Sequence, residues 1–251
     1  MSPFRSLWRT ASAELIGTAL LVIAVVGSGE MATSLTTDAG LQLAINAVVT
    51  VLALGALMYT FAAISGAHFN PVITASEWVL GRIKPVDAST YLASQFLGGF
   101  IGVMVANVMF SHPAISNSLH ERGGAGMLIG EAIATAGLII IVQLNRFEKR
   151  SSLNFIVVPA WIGAAYFFTS STAFANPAVT YARTWSDSFA GIAPQSVVNF
   201  MIAQIVGGAV GITFALFLHG SKSFRLSNSS ESFRLVHTSS ESNKVRSTVS
   251  L

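Results

Sequence analysis

The sequence predicts an all-α membrane protein of six transmembrane helices and two re-entrant half-helices, arranged as an inverted repeat. Three observations predict it: six long apolar stretches, an alignment of the chain with itself, and two Asn-Pro boxes that each open an apolar run too short to cross a bilayer. Composition agrees, because 52% of the 251 residues are hydrophobic and only 10% are charged. Soluble domains carry about a quarter charged residues, so this chain cannot coat a water-exposed surface. It has no cysteine, which excludes disulfides, thiolate nucleophiles and cysteine metal sites. The net charge of +3 is spread thinly and makes no nucleic-acid patch.

The apolar stretches are 11–29, 41–62, 91–110, 126–144, 153–169 and 197–219. Each holds about the 20 residues that cross a hydrocarbon core of about 30 Å. The first has the basic start of a signal peptide (Arg5, Arg9), but Glu14 lies inside it and the stretch has a counterpart later in the chain, so it reads as a retained span. Placing both termini in the cytoplasm puts 12 of the 14 basic residues inside and leaves only Arg122 and Arg183 outside. The expected location is the cell membrane, multi-pass. The expected order is a cytoplasmic N-terminus (1–10), a first half (11–110), an outer connecting loop (111–125), a second half (126–219) and a tail (220–251). The serine-rich tail reads as disordered. A basic serine-rich segment beside a membrane also suits anionic lipid, with release by phosphorylation.

Three blocks of the chain recur in order. Glu14, Ile16, Thr18 and Ala19 match Glu131, Ile133, Thr135 and Ala136; Asn70-Pro71-Val72-Ile73-Thr74 matches Asn176-Pro177-Ala178-Val179-Thr180. Gln95, Gly98, Gly99 and Gly102 match Gln204, Gly207, Gly208 and Gly211 at one offset of 109. This is a duplication. Each half has three spans, an odd number, so the second starts on the opposite face and the repeat is inverted. The glycines of spans three and six suit close helix contact in lipid.

The runs after Asn70 and Asn176 hold about ten residues, which reach about 15 Å at 1.5 Å each, so two entering from opposite faces meet near the midplane. Asn followed by Pro is a helix start: Asn caps free amides, and Pro sits where its missing N–H is not needed. Two facing starts aim two positive dipole ends at one place. Loop carbonyls left unpaired at that depth are tolerated only along a water-filled path. A neutral hydrogen-bonding molecule can pass such a place, whereas a cation meets a barrier.

The doubled box, the segment Ser65-Gly66-Ala67-His68-Phe69-Asn70-Pro71 and the Glu14/Glu131 pair resemble the aquaporin, or major intrinsic protein, family over about residues 11–219. The resemblance implies an aquaporin-like fold and a homotetramer with one pore per subunit. It implies no cofactor and no enzyme activity. It also makes Glu14 and Glu131 braces for the re-entrant loops; a proton relay is the other reading of two ionisable residues inside spans. Most members carry arginine three residues after the second Asn, and here that position is Val179. The family's register places the other constriction positions on Thr50, Ala164 and Ala173. That set is small and uncharged, so the filter is expected to be wide and weakly polar. An Arg-less second box is shared with a bacterial branch linked to arsenic handling.

Arg183, one turn beyond Val179, is either a filter arginine displaced outward or one that snorkels to the interface. Glu77 holds the equivalent place on the first half-helix, with the same ambiguity. His68 is expected to line the inner mouth; no second His lies at ligand spacing, and His112, His120, His219 and His237 form no constellation. The function expected is a passive channel for water and small uncharged solutes such as glycerol, urea or undissociated metalloid acids. A proton-coupled secondary transporter is the alternative, since inverted repeats and broken helices build those too. A junction protein with a vestigial pore would show no flux.

Overall fold

A computed structural model describes the backbone of residues 3–246 and the side chains of residues 7–220. Among the described residues the chain is helical throughout, with no strand: α1 (Pro3–Leu35), α2 (Ala39–Ser65), α3 (Pro71–Val79), α4 (Pro85–Met109), α5 (Ala125–Phe147), α6 (Asn154–Phe168), α7 (Pro177–Arg183) and α8 (Pro194–Arg246). A single 3-10 turn, Ser151–Leu153, precedes α6. Among the described residues six segments are long and apolar enough to cross a membrane: Leu7–Leu35, Ala39–Ser65, Pro85–Met109, Ala125–Phe147, Ser151–Phe168 and Pro194–Gly220. They coincide with the six expected stretches, and α3 and α7 are the two short helices between them.

Local chemistry sets the ends. Asp38 caps α2 by accepting the Leu41 amide at 2.7 Å, and α2 stops at Gly66, whose φ of 87° is left-handed and free of strain only in glycine. Proline opens α3, α4, α7 and α8, where its fixed φ is already helical. Pro159 lies inside α6 and removes the donor that the Phe155 carbonyl would otherwise receive. That carbonyl faces Gly55, where an added Cβ would approach it to 3.1 Å.

The repeat is visible in packing. An added Cβ at Gly98 would meet the Leu15 carbonyl oxygen and stand 3.1 Å from Leu15 Cα; at Gly207 it would meet the Ala132 carbonyl oxygen and stand 2.9 Å from Ala132 Cα. Gly102 and Gly211 stand in the same way against Ala19 and Ala136. The third span of each half therefore lies directly on the backbone of the first, and dispersion contact takes over the role that water plays in a soluble core. Residues such as Leu52, Val108, Ile133 and Ile205 are exposed, as a lipid-facing surface requires.

Contacts divide the chain into a body, residues 1–212, and a second unit, residues 213–251. The site lies in the body. The helical backbone of α8 continues to Arg246, where composition reads disorder from residue 220; no Gly or Pro between 221 and 246 interrupts a helix already nucleated upstream. The remainder of that tail, 247–251, lies outside the described residues.

Candidate pore

The two loops that enter the half-helices carry left-handed residues that are not glycine. Ala67 and Phe69 have φ of 50° and 46°; their repeat partners Ala173 and Ala175 have 48° and 46°. Each such residue costs roughly 1–2 kcal/mol, so something must hold the loops. Glu14 does so in the first half, accepting the His68 amide (3.0 Å), the Phe69 amide (2.7 Å), the Ser65 hydroxyl (2.6 Å) and the Gln95 side-chain amide (2.8 Å). Glu131 accepts the Phe174 amide (2.9 Å), the Ala175 amide (2.9 Å) and the Gln204 side-chain amide (2.7 Å). Both carboxylates are fully buried. Bonds to a charged group are worth roughly 1.5–3 kcal/mol each, enough to offset the strained backbone. Each glutamate therefore holds the loop of its own half.

Asn70 and Asn176 cap their half-helices as anticipated: the side-chain oxygen of Asn70 accepts the Val72 amide at 2.9 Å, and that of Asn176 accepts the Ala178 amide at 3.0 Å. A link between the halves is added. The Asn70 side-chain amide donates to the Ala175 carbonyl (2.7 Å), and that of Asn176 donates to the Phe69 carbonyl (2.8 Å). The N-termini of α3 and α7 therefore meet head to head, each tied to the last carbonyl before the other's cap. An amide nitrogen has two protons; the cross-link uses one, and one remains for a molecule in the adjoining cavity. Pro71 and Pro177 form the first helical positions. Val72 and Ala178 do not face the cavity: Val72 packs on Gly208, and the Ala178 carbonyl lies 3.2 Å from the Cβ position of Gly99.

A cavity runs past both caps and offers about 50 Å³ to the centres of water-sized molecules, room for a short file at about 10–15 Å³ per centre. Its walls include Thr50, His68, Tyr166, Ala173, Val179 and Arg183. Thr50, Ala173 and Val179, three of the four expected filter positions, line this cavity. Ala164 does not. It is exposed, on the outward stripe with Ile156, Ala160 and Phe167, and α6 turns Ile162 and Tyr166 to the cavity instead. Two residues along a helix is about 200° of rotation, so counting back without a local motif placed the position on the opposite face. Tyr166 donates its hydroxyl to Thr50 Oγ1 at 3.2 Å, which makes the wall more polar and bulkier than the expected small ring.

Residues 2–173 match the family described as Major intrinsic protein. The chain belongs to this family. It is 37% identical over 212 residues to the aquaglyceroporin AqpS of Rhizobium meliloti (strain 1021), covering 84% of this chain and 91% of that one. It is 29% identical over 232 residues to aquaporin Z of Photorhabdus laumondii, covering 81% and 94%. The solved aquaglyceroporin of Plasmodium falciparum superposes with a TM-score of 0.64 at 19% identity, over 85% of this chain and 96% of that one; this last likeness concerns the fold. The protein is accordingly a multi-pass membrane channel for water and small solutes, not an enzyme.

At the Val179 mouth of this major intrinsic protein, Arg183 is buried in the cavity wall, not snorkelling to lipid. Its Nε donates to the Ala190 carbonyl, and its guanidinium lies 3.4 Å from the centre of the Phe174 ring. Sequence reasoning missed what holds it. The segment before α5 straps the 184–193 loop: Ser118 N donates to Thr184 O, Ala193 N to His120 O, and Leu119 N to Asp187 Oδ1. Arg122 completes the strap, donating Nε to the Gly191 carbonyl at 2.9 Å and standing 5.0 Å from the Phe174 ring. Burial pushes the Arg122 guanidinium down to about 10. No motif marks Arg122, a single arginine in an otherwise polar loop, and its burial shows only in the fold.

At the opposite mouth His68, Glu77, Val142 and Arg146 line the entrance. Glu77 pairs with Arg82 at 2.9 Å and Arg146 at 3.0 Å, and Gln143 donates to Glu77 at 3.1 Å and to Ser76 at 2.8 Å. Sequence reasoning also passed over Thr74 and Thr180, each four residues after its Asn, which accept from Gln95 and Gln204 at 2.9 and 2.8 Å. Their place inside the repeated block was the available signal.

Proposed function

We propose that this protein is a passive, bidirectional channel for uncharged solutes up to glycerol size (glycerol, urea or undissociated metalloid acids) as well as water, working as a homotetramer with both termini cytoplasmic. The observation that carries the solute reading is the valine at position 179, beside the hydroxyl pair of Thr50 and Tyr166. A polyol exchanges hydration for those hydroxyls, the Asn70 and Asn176 amides and the loop carbonyls. Its carbon skeleton passes Val179, where an arginine would narrow the way. The name of the Rhizobium relative, an aquaglyceroporin, supports the same class. A cation faces two helix N-termini at the Asn pair and the guanidinium of Arg183, and no Asp or Glu is among the cavity's wall residues.

Stopped-flow swelling of proteoliposomes, with a panel of water, glycerol, urea and arsenous acid, tests this with and without a proton gradient. The expected outcome is flux down each solute's own gradient, indifferent to pH difference. Flux that requires the proton gradient would establish a coupled transporter instead. No flux for any solute would leave a junction protein.

A further inference from the structure

We infer that Thr74 and Gln95 are positioning residues that fix His68 as the neutral imidazole protonated on Nε2, so that the first half of the pore presents a donor to the passing solute. Three distances carry it. Gln95 Nε2 stands 2.8 Å from Glu14 Oε2 and 2.9 Å from Thr74 Oγ1. Thr74 Oγ1 stands 3.1 Å from His68 Nδ1. Glu14 receives three further donors, from Ser65, His68 N and Phe69 N.

The direction of each bond follows from the carboxylate. Glu14 is an acceptor, so the Gln95 amide must turn its NH2 towards it; the flipped amide would oppose two oxygens. The same NH2 donates to Thr74 Oγ1, and the one hydroxyl proton of Thr74 then needs an acceptor of its own. The second half shows what that acceptor would be by default: Thr180, equally bonded to Gln204, donates back to the Asn176 carbonyl at 2.8 Å. Thr74 makes no such bond to Asn70 among the described residues. Its hydroxyl faces the imidazole, which has no counterpart in the second loop, where position 174 is phenylalanine. An imidazole nitrogen that accepts carries no proton, and the tautomer is set by the bond the other nitrogen makes. Nε2 therefore bears the hydrogen.

Position matters as much as protonation. His68 lines both the central cavity and the mouth beside Glu77 and Arg146. Its ring packs edge-on to Tyr91, with centroids 5.3 Å apart, and Tyr91 donates its hydroxyl to the Ser65 carbonyl at 2.9 Å. Gly66 keeps the Nε2 side open, since a Cβ there would come within 3.2 Å of it. The ring is held on one side and tied at Nδ1, so only Nε2 is left to meet a solute oxygen. With Nδ1 occupied by a donor, the ring also cannot hand a proton from one nitrogen to the other, which suits a pore that conducts uncharged molecules.

Solid-state NMR of the full chain in lipid, with ¹⁵N-labelled histidine, reads the tautomer directly; His68→Asn identifies the signal among the five histidines. At neutral pH the His68 pair should show an unprotonated Nδ1 and a protonated Nε2. Thr74→Val keeps the shape and removes the donor, so that pattern should be lost and glycerol flux should fall. Thr74→Ser should restore both. A wild-type His68 protonated on Nδ1, or on both nitrogens, would overturn the inference, as would an unchanged signal in a folded Thr74→Val protein.

Discussion

Glu77 and Arg183 occupy the same place in the two half-helices, seven residues after Asn70 and Asn176, and the fold handles them in opposite ways. Glu77 is held between Arg82 and Arg146 at 2.9 and 3.0 Å, so one buried carboxylate carries two guanidiniums. Arg183 has no carboxylate within ion-pair distance among the described residues; it is held by the Ala190 carbonyl and the Phe174 ring. At each mouth a guanidinium is thus left without a carboxylate of its own, although one of the two repeat positions is acidic. A positive charge there also meets the negative end of its half-helix dipole.

Arg183→Gln follows from that pairing. It removes the unmatched charge while leaving a donor for the Ala190 carbonyl. Proton or sodium leak in proteoliposomes is expected to rise by about tenfold, equivalent to about 1.4 kcal/mol of barrier, with glycerol flux retained. A leak equal to wild type would show that the facing half-helices alone exclude cations.

Asn70→Ala and Asn176→Ala should have near-equal effects, because each removes one cap and one cross-link of matching length. An N-cap is worth about 1 kcal/mol and a hydrogen bond about the same, so a loss of about 2 kcal/mol is expected in each. Thermal unfolding in detergent measures it, and flux should fall in both. Markedly unequal losses would mean that the two halves are not mechanically equivalent.

Glu14→Gln should fold better than Glu14→Leu. Leucine leaves the His68 and Phe69 amides without an acceptor at roughly 1–3 kcal/mol each, whereas glutamine keeps one oxygen and the Ser65 hydroxyl can turn round. Flux that persists in Glu14→Gln supports a brace; loss of a proton-dependent flux in a folded Gln variant would support a relay.

What was legible in the sequence was what repeats or what obeys a local rule. The caps, the half-helices, the braces and the glycine contacts each occur twice, and a short polar residue before proline announces itself. Span five carries no such mark. Its apolar run is uniform around the helix, so position 164 was fixed only by counting, and Tyr166 was overlooked. The Arg122 strap was illegible for another reason: its partners are backbone carbonyls of a loop about 70 residues away, and carbonyls have no sequence signature.

Gly98→Ala and Gly207→Ala should each destabilise strongly, because the new methyl meets the Leu15 or Ala132 backbone, which cannot yield as a flexible side chain would. Overpacking of this kind costs typically 1–3 kcal/mol. Gly123→Ala is the control, with nothing near its Cβ position. Equal melting temperatures for all three proteins would contradict the close packing of α1 on α4 and of α5 on α8.

The solute range should be set by Val179 and Tyr166 and not by position 164. Val179 lies on the cavity wall one turn inside Arg183, so Val179→Arg places a second guanidinium, with five donors and a fixed charge, in a passage that already holds one. Glycerol-sized solutes should be cut far more than water, which needs less width. Tyr166→Phe keeps the ring and removes the hydroxyl that reaches Thr50. Polyol flux should then fall severalfold, one hydrogen bond being worth about 1 kcal/mol, while water flux stays close to wild type. Ala164→Phe adds bulk on the outward stripe and should change neither. Stopped-flow measurement of water, glycerol and urea in the four proteins separates the cases. A glycerol block in Ala164→Phe would return that residue to the filter and displace Tyr166 from it; an unchanged solute profile in Val179→Arg would move control of selectivity out to Arg183.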